Sequence, residues 1–332
     1  MLNTSISLTK SPSLFIVSSG RSGTTLLNSI LNASQQIHIP YESDFIARAF
    51  PFYQGRQQLN RQDYLKLIDM FMQSSRPRGW GMQEDYLLDY LVESQPQTFA
   101  EVDSALNAAY HSQQGTADCL WGIKAPVLIA SIDRIMQVYP EAKILHIVRD
   151  GRDVCLSYQQ VHAQSEVKFG PKSLLANALY WLDGLKRIEE YRSSQIYEFR
   201  YEDLLLDPET ELRRICQFIG IKYNKSMHQD FDAAQQVSLV NNQHLNNIHR
   251  KVKGKLDPKN TQKYLTQMSR IERLIFELIA APYLAKYQYN LEFKSFPRLL
   301  LLPLRKLLYT AARQVNNWRY AKRDRNFYTA NS

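Results

Sequence analysis

The sequence predicts an α/β fold, a P-loop-like domain with a central parallel sheet flanked by helices. Two short apolar segments read as buried strands, residues 14–17 and 144–148, and a polar turn and a helical stretch follow each of them. A third strand-like segment lies at residues 196–199, after another amphipathic stretch. Because strands that alternate with helices pair in parallel, we expect a doubly wound sheet.

The remaining elements are assigned from apolar spacing and turn residues. A short strand is expected at residues 121–123, and residues 45–115 are expected to form helices and loops that flank a site. Three further helices are expected at residues 24–32, 127–139 and 172–191. Two more are expected to begin at Asp153 and near Pro208. Gly220 is expected to end the last of them, and residues 241–260 are expected to form a loop.

The domain organisation follows from length and charge. With 332 residues and 44% hydrophobic content, the chain can bury one sizeable core, which we assign to residues 1–294. A basic amphipathic C-terminal tail follows at residues 295–332. Residues 294–325 hold nine Lys or Arg and one acid, so nearly all of the formal charge of +9 belongs to this stretch. No nucleic-acid partner is predicted, and the oligomeric state stays open.

The tail permits two interpretations. Its leucines recur at three- and four-residue steps between basic residues, a pattern typical of a helix with an apolar face and basic flanks. Such a helix docks on its own domain or lies in a membrane interface as a peripheral contact, and the sequence leaves both open. It is too short in apolar residues to span a bilayer, and Pro303 would kink it.

The cellular location is predicted from cysteine usage and from the N-terminal residues. The three cysteines are far apart and show neither zinc-site spacing nor a disulfide framework, which favours a reducing compartment. The first residues show no signal-peptide pattern, and no run approaches about 18 apolar residues. We therefore expect a cytoplasmic protein, membrane-peripheral if the tail binds lipid.

The first chemical motif is the glycine-rich segment 19–25, SGRSGTT, between a strand and a helix. Glycines let the backbone approach an anion closely, and the amides of a helix N-terminus attract it. Arg21 adds a full charge and a bidentate fork. The segment differs from a Walker A loop because Thr24 stands where that motif carries lysine, which weakens an ATPase or GTPase assignment. The alternative is a glycine-rich turn without a ligand.

The second motif, VRDGRD, follows the strand at residues 144–148. Arg149 stands at the carboxyl end of that strand, where ligands bind in such sheets, and Ser157 lies eight residues further on in the expected helix. The pair could hold a phosphate monoester, with Asp153 favouring the helix N-terminus. The alternative is a surface turn whose arginines pair with Asp150 and Asp153.

Five segments taken in order make the chain resemble the PAPS-dependent sulfotransferase superfamily, in which PAPS is 3'-phosphoadenosine 5'-phosphosulfate. They are FIVSSGRSGTTLLNSIL, YESDF, WGIKAP, ILHIVRDGRDVCLSY and FRYEDLLLDPETELRRICQFIGI, with LDPKNTQKY as a weaker sixth. The likeness is nearest to the branch that contains tyrosylprotein sulfotransferase and many bacterial sulfotransferases, and it spans residues 14 to about 290.

The resemblance implies a role for each nucleotide-binding position. The residues that would bind the 5'-phosphosulfate are Arg21, Ser22, Gly23, Thr24 and Thr25. Arg149 and Ser157 would bind the 3'-phosphate, Tyr201 would contact the adenine side, and Lys263 would approach the phosphates.

Two catalytic residues are also implied. Glu42 stands where this branch carries its catalytic carboxylate, which would take the proton that an acceptor hydroxyl loses, an effect worth about 10²–10⁴-fold in rate. Lys124 occupies the Lys-x-Pro position and would stabilise charge on the leaving phosphate. The tyrosylprotein enzymes place a base directly after the glutamate, whereas here Ser43 follows and Arg48 is the nearest base. His146, in the middle of a strand, is interpreted as a core residue.

The predicted reaction transfers a sulfuryl group from PAPS to an acceptor hydroxyl or amine and releases adenosine 3',5'-bisphosphate, with no metal. An ATP-dependent small-molecule kinase is the rival enzyme, and a non-catalytic nucleotide- or polyanion-binding protein is the rival from another class. The missing Walker lysine argues against the first, and Glu42 with Lys124 argues against the second. The acceptor could be a carbohydrate, a lipid, a peptide or a small metabolite.

Overall fold

The structure is a computed structural model that describes residues 10–75, 78–164, 169–229 and 256–293, together with Thr310 and Gln314. The predicted tail, apart from those last two positions, lies outside the described residues. The same holds for positions 241–255 of the predicted loop.

A five-stranded parallel sheet forms the centre of the described domain, which confirms the predicted fold class. The strands are β1 (Leu14–Ser18), β2 (Ile37–His38), β3 (Leu120–Lys124), β4 (Lys143–Val148) and β5 (Ile196–Arg200). Their order across the sheet is β2-β3-β1-β4-β5. In the register of these strands, Ser18 pairs with Ile147 and Val148 pairs with Arg200, so the loops that follow β1, β4 and β5 leave the same edge.

The helices between and around the strands carry the labels α1 to α13 in chain order. Their bounds are Thr24–Asn32, Phe45–Tyr53, Arg61–Ser74, Glu84–Ser94, Phe99–Gln113, Ile132–Val138, Gly151–Gln164, Leu174–Glu190, Tyr201–Leu206, Pro208–Ile219, Ser226–Gln229, Tyr264–Gln267 and Arg270–Lys286. Short 3₁₀ segments lie at Arg78–Gly81, Pro126–Ser131 and Pro258–Asn260.

The core has two layers because successive side chains of a strand face opposite sides of the sheet. Phe15 and Val17 of β1 pack among the side chains of α2 to α6. Leu14 and Ile16 face the other layer, which α1, α9 and α10 cover. A third apolar cluster, formed by α7, α8 and α13, lies beside the end of β4. The sheet is therefore buried on both faces, as a parallel sheet requires.

Most predicted elements have the expected place, with three local differences. Residues 126–131 form a 3₁₀ segment before α6, where one continuous helix was expected. Helix α7 begins at Gly151 instead of Asp153. Strand β2, which pairs with β3 at two residues only, was not predicted, and neither were helices α9, α11, α12 and α13.

Candidate active site

The glycine-rich loop between β1 and α1 has the backbone that an anion-binding loop needs. Gly20, Arg21 and Gly23 all have positive φ, at 72°, 51° and 94°. The Ser18 hydroxyl accepts a hydrogen bond from the Gly20 amide at 3.0 Å, and the Ser22 hydroxyl donates to the Gly20 carbonyl at 2.9 Å. Gly23 precedes α1 and provides no side-chain cap. The first amides of this helix are therefore suited to an anionic ligand.

Two tyrosines approach the loop so closely that only glycine fits beneath them. A β-carbon on Gly20 would lie 2.0 Å from the Tyr158 hydroxyl, and one on Gly23 would lie 2.4 Å from the Tyr201 ring. The Tyr158 hydroxyl also donates to the Ser19 carbonyl at 3.3 Å. Tyr158 was not predicted as a site residue, and its place beside Ser157 is the only signal for it in the sequence.

Arg21 reaches from this loop to α7. Its Nε donates to the Ser157 hydroxyl at 3.0 Å. Burial lowers the pKa of the Arg21 guanidinium, and the nearby charge of Arg149 acts in the same direction, while Tyr158 and Glu42 oppose it. Ser157, which the sequence grouped with Arg149, thus also joins helix α7 to the glycine-rich loop.

Arg149, at the end of β4, is held from several directions. Its Nη1 donates to the Arg21 carbonyl at 3.0 Å, and its Nη2 donates to the Asn260 carbonyl at 2.8 Å. The guanidinium lies 4.7 Å from the Tyr201 ring centroid and 3.8 Å from the Asp153 carboxylate. Its Nε is buried and has no hydrogen-bond partner among the described residues. A positive group with a spare donor therefore lies beside Arg21.

The chain after residue 256 completes this side of the site. The Asn260 side chain donates to the Tyr201 hydroxyl at 2.8 Å, and Lys263 donates to the Asn260 side-chain oxygen. Tyr201 and Lys263 are thus brought together through Asn260, which was missed as a site residue. The segment LDPKNTQKY was the signal that could have found it.

The VRDGRD turn is buried and not at the surface, although its two arginines do pair with Asp153 and Asp150 as the surface-turn alternative expected. Arg152 is fully buried and pairs with Asp150 at 2.7 Å and with Glu277 of α13 at 2.7 Å. Its guanidinium also lies 3.9 Å from the Tyr264 ring centroid. The two arginines of the motif therefore have different roles, since Arg152 is neutralised in the core and Arg149 faces the glycine loop.

Glu42 and Lys124, predicted as the catalytic pair, form an ion pair at 2.9 Å. They meet because Lys124 ends β3 and Glu42 follows β2, the neighbouring strand. The Lys124 side chain is fully buried and lies 4.8 Å from the Tyr41 ring centroid, whereas the Glu42 side chain is 28% exposed. One member of the pair is thus enclosed by protein and the other is accessible to an incoming molecule.

Main-chain contacts anchor the segment that carries Glu42. The indole N–H of Trp80 donates to the Tyr41 carbonyl at 2.9 Å. On the other side, the hydroxyls of Ser43 and Ser75 lie 2.9 Å apart. Arg48, the nearest base in sequence, pairs with Asp44 at 2.8 Å.

The histidines have other roles in the fold. His146 is fully buried, and its Nδ1 lies 2.8 Å from the Glu198 carboxylate, in agreement with a core residue. His38 bonds to the Tyr110 hydroxyl at 3.3 Å, and burial lowers the pKa of its imidazole. His162 lies 3.2 Å from the Gly170 carbonyl.

Within the described ranges, no three His, Cys, Asp or Glu side chains are grouped as a metal ion would require. Metal independence stays a prediction. No helix in that same part of the chain is long and apolar enough to cross a membrane.

Comparison with known proteins identifies relatives over most of the chain. The model of the family described as "Sulfotransferase family" matches residues 12–225. Omega-hydroxy-beta-dihydromenaquinone-9 sulfotransferase Stf3 of Mycobacterium bovis is 32% identical over 30% of this chain and 28% of its own length. Protein-tyrosine sulfotransferase 1 of Danio rerio is 24% identical over 65% of this chain and 55% of its own. The chain therefore spans just over half the length of the Danio rerio relative and less than a third of the length of the Mycobacterium bovis relative.

The fold agrees with solved structures. The sulfotransferase domain from the curacin biosynthetic pathway has 19% sequence identity and a TM-score of 0.54, over 85% of this chain and 99% of that one. The family match covers well over half of the 332 residues and includes the glycine loop, Glu42, Lys124 and the VRDGRD turn. The chain belongs to the sulfotransferase family.

Proposed function

We propose that this chain transfers a sulfuryl group from PAPS to an acceptor and releases adenosine 3',5'-bisphosphate. The contact between Arg149 and the Arg21 carbonyl, at 3.0 Å, carries this proposal, because it brings two arginine residues together at a glycine-rich loop. Only Asp153, at 3.8 Å, forms an ion pair with Arg149 among the described residues. Such a site favours a ligand with two anionic groups over one with a single phosphate.

The residues fit this nucleotide on three counts. The loop has positive φ at Gly20 and Gly23, and no side chain caps the amides at the start of α1, where a 5'-phosphosulfate would be held with Arg21 to Thr25. The unpartnered Nε of Arg149 supplies a donor for a 3'-phosphate, with Ser157 nearby. Tyr201 and Lys263 would contact the adenine side and the phosphates, joined through Asn260.

The Glu42–Lys124 pair supplies the chemistry of the transfer. PAPS provides the activated sulfuryl group, and an acceptor hydroxyl or amine must lose a proton as it attacks sulfur. The exposed carboxylate of Glu42 accepts that proton. Once Glu42 is protonated its charge no longer balances Lys124, so the buried ammonium stabilises negative charge on the departing phosphate.

The first experiment measures nucleotide affinity by calorimetry. We expect adenosine 3',5'-bisphosphate to bind far more tightly than AMP, because a charge-assisted hydrogen bond is worth about 1.5–3 kcal/mol, or roughly ten- to a hundredfold. Arg149→Ala should remove most of this preference, while Arg213→Ala, at an exposed arginine of α10, serves as the control. Equal affinity of the wild-type protein for both nucleotides would overturn the proposal, and tight ATP binding with phosphate transfer would favour the kinase.

The second experiment tests Glu42. An untargeted mass-shift screen of cells with and without the protein identifies the sulfated product and hence the acceptor. Glu42→Gln should then lower turnover by about 10²–10⁴-fold without weakening nucleotide binding. The exposed Glu93→Gln is the control. Near-normal turnover of the Glu42 variant would place the base elsewhere, with His38 and His162 tested next.

The acceptor class is the least constrained part of the proposal. The two curated relatives are named for a hydroxylated menaquinone and for protein tyrosine, so we propose a hydroxyl ahead of an amine. We also propose a cytoplasmic location, supported by three free cysteines, of which Cys155 and Cys216 are buried.

We propose residues 295–332 as a tail separate from the domain, with lipid binding as its testable property. The support is its sequence of leucines and basic residues, since each Lys or Arg adds about 1 kcal/mol near anionic lipid. Full-length protein should sediment with anionic vesicles at low salt, and a version ending at Lys294 should not. Equal recovery of both in the supernatant would make the tail a structural element.

A further inference from the structure

Trp181 of α8 contacts the main chain of the predicted 3'-phosphate site. Its indole N–H donates to the Arg149 carbonyl at 2.9 Å, and its side chain is 1% exposed. This carbonyl belongs to the residue whose guanidinium faces the glycine loop. A buried hydrogen bond therefore holds the main chain of the residue whose side chain reaches the glycine loop.

The indole ring also limits which residue can follow in the turn. A β-carbon on Gly151 would lie 2.6 Å from the Trp181 ring, and the same position would lie 2.6 Å from Phe276 of α13. Trp181 and Phe276 pack with ring centroids 6.1 Å apart. The turn after β4 thus packs directly against both aromatic rings. A displacement of Trp181 would therefore also displace the main chain at Arg149, at the end of the strand.

We propose that Trp181 is a positioning residue for the nucleotide 3'-phosphate, which it controls by holding the Arg149 carbonyl. The inference rests on the proposed function, since it assumes that Arg149 binds that phosphate. A single phosphate on the glycine loop depends on Arg21 and the start of α1 instead. Loss of the indole donor should therefore weaken a bisphosphate more than a monophosphate.

The chain offers a matched control in Trp121 of β3. Trp121 is also buried, at 4% exposure, and its indole N–H also donates to a main-chain carbonyl, that of Thr116 at 3.4 Å. Its ring stacks on His111 at 4.5 Å. Replacing Trp121 by Phe thus removes the same atoms and the same kind of bond, with no contact to the arginines of the site among the described interactions.

The test measures binding of adenosine 3',5'-bisphosphate and of AMP by calorimetry to wild type, Trp181→Phe and Trp121→Phe. The bond lies within the protein, so its net worth sets the largest effect that its loss can have on nucleotide affinity, about tenfold. We expect Trp181→Phe to bind the bisphosphate about tenfold more weakly and AMP nearly as well as wild type does. Trp121→Phe should leave both affinities unchanged.

A second variant separates the hydrogen bond from packing. Replacing Trp181 with 3-benzothienylalanine keeps the bicyclic shape and removes the N–H, so it remains usable if Trp181→Phe fails to fold. The same selective loss in this variant supports the proposal. Unchanged bisphosphate affinity, or an equal loss for both nucleotides, overturns it. A wild-type protein that does not distinguish the two nucleotides would instead refute the proposed function itself.

Discussion

Asp103 of α5 is the basis of a quantitative prediction about stability and pH. Its carboxylate is buried and accepts a hydrogen bond from the Tyr139 hydroxyl at 2.5 Å. The Tyr139 hydroxyl in turn lies 3.2 Å from the hydroxyl of Ser104. Burial raises the pKa of Asp103 from 3.8 to about 7, and the bond from Tyr139 opposes this only in part. The folded protein therefore holds a proton that the unfolded chain has released.

The sign and size of the effect follow from that difference. Below pH 3.8 the carboxyl is protonated in both states, and stability is unaffected. Between about pH 4 and 7 the folded state binds more protons than the unfolded state, so the free energy of unfolding falls as pH rises. The total loss is roughly 4 kcal/mol, at 1.36 kcal/mol for each pKa unit. Above pH 7 this group contributes no further change.

Asp103→Asn removes the titration and keeps an oxygen that accepts from Tyr139. Urea unfolding at several pH values between 4 and 8 should show that the variant gains up to roughly 4 kcal/mol relative to wild type as pH rises. Asp89→Asn, at an exposed position of α4, is the control and should follow the wild-type curve. Parallel curves for Asp103→Asn and wild type would refute the reasoning.

Two further predictions concern a glycine and an ion pair. Gly23→Ala and Gly220→Ala both force a positive φ, 94° and 89°, and should each lose about 1–2 kcal/mol of stability. Only Gly23→Ala places a β-carbon against Tyr201, so calorimetry should show weaker nucleotide binding for this variant and not for Gly220→Ala. Equal nucleotide binding by the two variants would contradict this prediction. Glu277→Ala should lower the free energy of unfolding by about 3–5 kcal/mol, because it leaves the buried Arg152 with one carboxylate fewer. A loss under about 1 kcal/mol in urea unfolding would contradict that assignment.

The fold was predictable where local pattern and tertiary environment agree. The strands at residues 14–17 and 144–148 are buried apolar runs, whereas the strand at 196–199 is mostly half-buried and contains Glu198. The observed ends of all three differ from the predicted ends by one residue. The helix that ends at Gly220 was predicted from its stop residue, which has φ of 89°. Strand β2 could not be predicted because two residues define no period, and its pairing with β3 is a tertiary contact.

The sequence indicated which residues belong to the candidate site, but not which of them contact one another. Local motifs indicated Arg21 and Ser157, yet their hydrogen bond joins residues 136 positions apart. Asn260 lies in a segment whose apolar and polar pattern is unremarkable, and its role depends on where the chain returns to Arg149. The position directly after β4 indicated Arg149, but VRDGRD alone does not show that Arg152 is neutralised in the core, because its partner Glu277 lies on a distant helix.

The partners of the VRDGRD turn bear on which part of the chain can stand alone. The family match ends at residue 225, whereas Glu277, Phe276 and Asn260 lie beyond it. A fragment cut at that boundary would leave the Arg152 guanidinium short of a counterion and one side of Trp181 open to water. During synthesis the nucleotide site would likewise be incomplete until these residues leave the ribosome. We therefore expect the smallest autonomous unit to extend to about residue 293, where the main chain still bonds to Glu277.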